Sequence, residues 1–184
     1  MKGEKRQLIE QMIAKSQQKS EAKKEIRIDS ESLQTYYDAF YQGHDASLES
    51  DELLHQWRYW RERAMNFLVR REHSEVELRQ KLRQRALPEW LFEPLIEWLY
   101  SRDYLSLERF AYSYAKNRAD LGYGPIRVSY ELRVEHQVPE RFINEAFREI
   151  NWERAEAVAA RKIRHSDPLK YRAALYRRGF NSDG

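Results

Sequence analysis

From about residue 51 onward, apolar residues recur at steps of three and four, the spacing of helices with one buried face. Trp57, Trp60, Ala64, Phe67 and Leu68 share a face of the first predicted helix. Ser74-Glu75-Val76-Glu77 reads as a capping box, in which the Ser74 hydroxyl accepts from a backbone N–H while Glu77 reaches back. A second helix therefore starts at Glu75, with Leu78 and Leu82 facing inward. Pro88 precedes a third, whose stripe is Leu91, Phe92, Leu95, Ile96, Trp98 and Leu99; Pro94 inside that stripe predicts a kink or a late start. The three helices end near Asp103.

The same order then begins again. Ser106 is an N-cap for a fourth helix carrying Leu107, Phe110, Ala111, Tyr114 and Ala115. Gly122-Tyr123-Gly124-Pro125 supplies two conformationally free positions and a first-turn proline, opening a fifth helix with Val128 and Leu132 inside. Pro139 opens a sixth, expected to bury Phe142, Ile143, Ala146, Phe147 and Ile150. Trp152, Ala155, Ala159 and Ile163 form a seventh, and Asp167-Pro168 caps an eighth with Tyr171, Ala174 and Leu175. Ser74, Leu78 and Leu82 map onto Gly124, Val128 and Leu132, and these onto Asp167, Tyr171 and Leu175. Such self-similarity predicts an all-α stacked array of three-helix repeats at 57–103 and 104–150, with a truncated third at 151–184. The extension 1–56 is expected to be poorly ordered or partly helical. Its stripe of Leu8, Ile9, Met12 and Ile13 supports only a marginal helix, whereas Tyr36, Tyr37, Phe40 and Tyr41 form an aromatic cluster able to dock on the body ahead of a polar Gly43–Ser50 loop.

Charge changes this picture only locally. The net charge is +3, yet residues 1–27 carry eight basic and four acidic groups, residues 28–57 carry seven acidic and no basic ones, and the rest is basic. A basic body suits a polyanion nearby. The absence of cysteine removes thiol catalysis, thiolate zinc sites and disulfides, and fits a reducing compartment, so the cytoplasm is expected. No apolar run near the start resembles a signal peptide or a membrane span, so a soluble monomer without membrane association is expected.

No catalytic constellation assembles. His44, His55, His73, His136 and His165 are scattered, with no i, i+4 pair to hold a metal, and read as surface or capping groups. The Gly122–Pro125 segment lacks the Lys and Ser/Thr of a phosphate loop and is a turn. Glu75 and Glu77 stand four residues before Arg79 and Lys81, the spacing of ion pairs and not of an acid/base couple. A non-enzyme without metal or cofactor is the expectation. What remains is a set of basic helix faces: Arg79, Lys81, Arg83 and Arg85; Lys116 and Arg118; Arg127 and Arg133; Arg177 and Arg178. Together these can line a groove for phosphates or an acidic protein surface, although solubility alone also places charge on the outer faces of amphipathic helices.

The segment Ser74–Leu82 resembles the first-repeat helix of the RecX family, and Tyr104-Leu105 with Arg109-Phe110-Ala111 resembles its second signature. The most specific likeness runs from Arg118 to Leu132, where Gly122-Tyr123-Gly124-Pro125, Arg127 and Glu131-Leu132 fall in the family's order and spacing; Arg178-Gly179-Phe180 resembles the closing motif. Leu121 stands where the family usually has a basic residue, and Gln137 where glycine is common. The resemblance implies a curved array that binds the RecA nucleoprotein filament on single-stranded DNA and restrains its ATP hydrolysis and strand exchange. The chain would thus regulate homologous recombination, DNA repair and the SOS response. It also implies partner contacts at Arg79, Lys81, Arg83, Arg109, Lys116, Arg118, Arg127 and Arg133, and structural roles for Ser74, Leu78, Leu82, Gly122, Gly124, Pro125, Leu132 and Gly179. The residues by themselves leave open a direct nucleic-acid binder and a helical adaptor for another protein.

Overall fold

The structure, a computed structural model, describes residues 28–42 and 48–181. The Leu8–Ile13 stripe, His44 and most of the polar loop after Gln42 lie outside the described residues. Among those described there are nine α-helices and no strand: α1 Ser30–Tyr41, α2 Ser50–Leu68, α3 Glu75–Arg83, α4 Phe92–Ser101, α5 Leu107–Asp120, α6 Pro125–Tyr130, α7 Glu140–Arg148, α8 Trp152–Lys162 and α9 Pro168–Arg177. A 3₁₀ turn, Glu89–Leu91, leads into α4, and a π-helical segment, Glu131–Glu135, continues α6.

Three apolar cores follow one another along the chain, as stacked repeats require. The first gathers α2, α3 and α4 around Trp57, Leu78, Leu82, Leu91, Leu95 and Leu99. The second joins Phe110, Ala115, Val128, Leu132, Val138 and Ile143 from α5 to α7. The third, built by α8 and α9 on the end of α5, consists of Ala119, Ala155, Ala159, Leu175 and Phe180. Alanines at the α5–α8 contact let two backbones approach closely. Phe142, Phe147 and Ile150, expected inside, are only partly buried; the Phe147 ring meets Trp152 of α8, and Ile150 packs against both the second and third cores.

Helix α1 belongs to the first repeat's core. Asp29 caps it by accepting from the Ser32 amide (2.9 Å), Leu33 and Tyr37 are buried, and the Tyr37 ring meets Trp90 edge-on at 5.2 Å. Tyr36 donates its hydroxyl to Glu97 on α4. Helix α2 starts at Ser50, so the first repeat's leading helix runs back across residue 56.

The second helix of each copy is built on one plan. Ser74, Gly124 and Asp167 are its N-caps; Ser74 Oγ accepts from the Glu77 amide (3.1 Å) and Asp167 Oδ1 from the Leu169 amide (2.8 Å). Each helix ends at a left-handed residue, Ala86, Gln137 or Gly179, followed by a buried apolar one, Leu87, Val138 or Phe180. Twelve residues separate cap from stop in the first and third copies and thirteen in the second. The π segment absorbs that extra residue, bonding the His136 amide to the Glu131 carbonyl at 3.1 Å.

Two local expectations are corrected. Glu77 does not complete the capping box: its carboxylate is taken by Arg71 and by Lys81 (3.3 Å), and charged donors outbid a backbone amide. Gly124 is not needed for conformational freedom, since its φ is −89°; only Gly122, at +78°, uses that freedom in this turn. The late start expected from Pro94 is explained by its place in the first turn of α4, where no N–H is needed.

Gln137, with φ +53°, and Ala86, with φ +60°, occupy positions that favour glycine. Gln137→Gly and Ala86→Gly are each expected to raise stability by about 1 kcal/mol, read as a higher urea midpoint at unchanged slope. An unaltered or lower midpoint would contradict the strain.

Candidate functional site

The region whose spacing is most specific in the sequence folds into one cluster around Glu131. At the start of the π segment this carboxylate is turned toward α5 and its side chain is 6% exposed. Arg118 donates Nε to Glu131 Oε2 (2.7 Å) and its Nη2 to Oε1, Arg127 donates Nε to Oε1 (2.9 Å), and Tyr114 donates its hydroxyl to Oε2 (3.1 Å). The Tyr123 ring, held by the glycine turn, is faced by three guanidinium groups: Arg118 at 3.9 Å, Arg127 at 4.7 Å and Arg178 at 5.7 Å. One carboxylate against three arginines leaves local positive charge, while the ring faces the guanidinium groups whose N–H groups bond Glu131 and the Gly122 carbonyl.

The closing motif completes the cluster. Gly124 N–H donates to the Arg178 carbonyl (2.7 Å), Ile126 N–H to the Gly179 carbonyl (3.1 Å), and Arg178 Nη1 to the Gly122 carbonyl (3.2 Å). Two motifs some fifty residues apart thus form a single structure. Tyr123 was not singled out by sequence as a cation platform; its place between two glycines, with Arg118 five residues before and Arg127 four after, is the signal.

The other basic candidates are mostly engaged within the fold. Arg79 bridges Glu75 (2.8 Å) and Glu93 (3.0 Å), tying α3 to α4. Arg109 bridges Glu72 (2.7 Å) and Asp103 (2.9 Å) at the junction of the first two repeats. Arg83 pairs with Glu89 (3.2 Å), and Arg133 lies 4.0 Å from Glu140, both on the surface. Lys116 is exposed beside the Tyr112 ring. The candidates therefore do not form one cluster: Arg118 and Arg127 meet on Glu131, while Arg79 pairs with Glu75 and Glu93, Lys81 with Glu77 and Arg83 with Glu89.

Two of the histidines expected as surface or capping groups are engaged inside the fold. His73 is 1% exposed, its Nδ1 against the Arg71 carbonyl and its Nε2 against Lys81 Nζ, each at 2.9 Å. An ammonium can only donate, so Nε2 is the acceptor and the ring is neutral. His136 joins the repeats through Ser74 Oγ at 3.0 Å. Among the described residues no group of His, Asp or Glu is placed to hold a metal, and no helix is long and apolar enough to cross a membrane.

Residues 61–99, from the last part of α2 through most of α4, match the first three-helix domain of RecX. Regulatory protein RecX of Pseudomonas putida (strain F1) is 40% identical over 132 residues, which cover 67% of this chain and 84% of that protein. The chain belongs to the RecX family. The RecX proteins of Pseudomonas entomophila, 39% identical over 59% of this chain and 71% of its own, and of Halorhodospira halophila, 35% identical over 67% and 81%, agree. A crystal structure of regulatory protein RecX has the same fold, with a TM-score of 0.58, 19% identity, and coverage of 81% of this chain and 83% of that one. RecX relatives are named as regulatory proteins and not as enzymes.

The charge networks of this RecX chain give it a definite acid response. Burial pushes the Glu131 carboxyl up, but hydrogen bonds from Arg118 and Arg127 outweigh it and hold it below the ordinary carboxylate value. At Glu77 burial is likewise overcome by Arg71, bringing the group to about 2. Burial lowers both His73 and His136 below the usual 6.5. Groups lowered by folding stabilise fully above their unfolded pKa and lose that contribution as pH falls through the folded value. Stability should therefore fall in two stages, first below about 6.5 and again below about 4.5. Equal urea midpoints at about pH 7.5 and 5.5 would remove the histidine stage.

Proposed function

We propose that this chain regulates a RecA-type recombinase by binding its filament on single-stranded DNA and restraining ATP hydrolysis and strand exchange. The observation that carries the proposal is 40% identity to a RecX protein over 84% of that protein's length, with the Arg118–Leu132 and closing motifs folded into one charged cluster. An array of this kind acts by occupancy: several weak contacts on successive repeats bridge neighbouring filament subunits, and their combined affinity exceeds that of any one.

In this reading Arg79, Lys81, Arg109 and Arg118 chiefly hold the array's shape, because their charges are satisfied internally. Arg83, Lys116, Arg127 and Arg133 reach the partner, being exposed enough to exchange or extend their contacts. Addition of the protein to RecA on single-stranded DNA is expected to suppress ATP hydrolysis well below the concentration that coats the same DNA alone. Reversing Arg83, Lys116 and Arg133 to Glu together should weaken that suppression about tenfold or more, as loss of several complementary charges does. Suppression only where the DNA is coated, or unchanged potency of the triple variant, would reject the mechanism or the contact set respectively.

A further inference from the structure

Helix α2 carries a second stripe besides its buried one. Tyr59, Arg63 and Asn66 on α2, and Arg70 two residues past its end, follow at steps of four, three and four, and with Phe67 and Arg85, which follows α3, they line a groove of about 510 Å³. Along the helix axis the stripe extends roughly 10 Å from Tyr59 to Asn66. Its three arginines differ from those in the charge networks: among the described residues none of them is in an ion pair, although Glu62 also borders the groove. Instead Arg63 lies over the Tyr59 ring at 4.5 Å and Arg85 over Phe67 at 4.6 Å. The Arg63 Nε is buried without an acceptor.

A guanidinium held over a ring without an ion-pair partner keeps N–H donors that can meet phosphate oxygens. Tyr59 remains 43% exposed at the groove wall. An acidic protein segment would use the arginines and leave this ring idle. A single-stranded nucleic acid uses both, its phosphates on the cations and a base on the ring. We propose that the α2 groove grips the backbone of single-stranded nucleic acid, with Arg63, Arg70 and Arg85 on phosphates and Tyr59 under a base. This contact belongs to the chain itself and does not rest on the presence of a recombinase.

The experiment is fluorescence anisotropy of a labelled oligothymidine with the full chain, titrated over a range of salt concentrations without RecA. Replacing Arg63, Arg70 and Arg85 together by Gln is expected to weaken binding at least tenfold and reduce the slope of log affinity on log salt by about 2, since each phosphate contact on a single strand contributes about 0.7. Tyr59→Ala should weaken binding about tenfold with the slope unchanged. A matched triple, Arg141, Arg148 and Arg172 to Gln, should stay close to wild type. Lys at the three groove positions keeps charge and stems while losing the planar fork, so it should keep the salt slope and bind at intermediate strength, a result that loss of folding would not give. Equal effects of the two Gln triples would overturn the proposal. So would tighter binding of a polyglutamate of the same charge with Tyr59→Ala silent, which would assign the groove to an acidic protein instead.

Discussion

Gly124→Ala is expected to detach the closing motif from the middle repeat. A Cβ at this position would overlap the Gly179 carbonyl and lie 2.8 Å from the Phe180 ring, and the carbonyl is backbone that cannot rotate away. Gly179→Ala meets the same junction from the other side: φ is +91°, and the new Cβ would sit 2.5 Å from the Arg127 nitrogen. Overpacking together with the two lost backbone hydrogen bonds sets the loss for either variant on the order of 3 kcal/mol, a fall in melting temperature of roughly 6–12 °C for a chain of this size. Hydrogen exchange is the sharper readout. The Ile126 amide, bonded to the Gly179 carbonyl at 3.1 Å, should lose protection while amides of α3 and α4 keep theirs. Unchanged melting together with unchanged Ile126 protection would show that the junction tolerates a methyl group and is not tightly packed.

Glu131→Gln should have a comparable effect for a different reason. The amide has the same shape, but it cannot neutralise Arg118 and Arg127 and brings its own N–H groups toward them. Removing one partner of a buried pair typically lowers stability by about 3–5 kcal/mol. Arg127 is half-exposed and can turn to water, so a loss of roughly 2–3 kcal/mol is expected here. Urea unfolding should show it as a lower midpoint. Adding Arg118→Gln to Glu131→Gln should cost less than the sum of the two single changes, because the second change removes the stranded charge. Strict additivity would mean that the two residues are not coupled as the geometry indicates.

Much of this architecture is legible in the residues. The caps Ser74, Ser106 and Asp167 announce themselves because a short oxygen side chain before an apolar run has one strong use, and each accepts the expected amide. Gln137 is legible as a departure only with the family pattern in view; the structure adds that its φ is +53°. The π segment was not visible, since one additional residue between Gly124 and Gln137 leaves the apolar spacing of Val128 and Leu132 intact. The fate of the basic residues was not legible either. Whether Arg109 meets solvent or Glu72 is decided by a contact between positions 37 apart. Arg63 and Arg70 are hidden by the core stripe of α2, which dominates the periodicity there, although their spacing from Tyr59 is present in the sequence.

The junction of Gly124 with Gly179 also sets an order of events during synthesis. The first repeat closes its core with residues up to Leu105, all of which leave the ribosome early. The turn that opens α6 must wait until residues 178–180 have been made before its Gly124 and Ile126 amides find their acceptors. A nascent chain that pauses in α9 therefore carries a finished first repeat beside a middle repeat with bare turn amides, and the latter is where a chaperone or protease would first engage it.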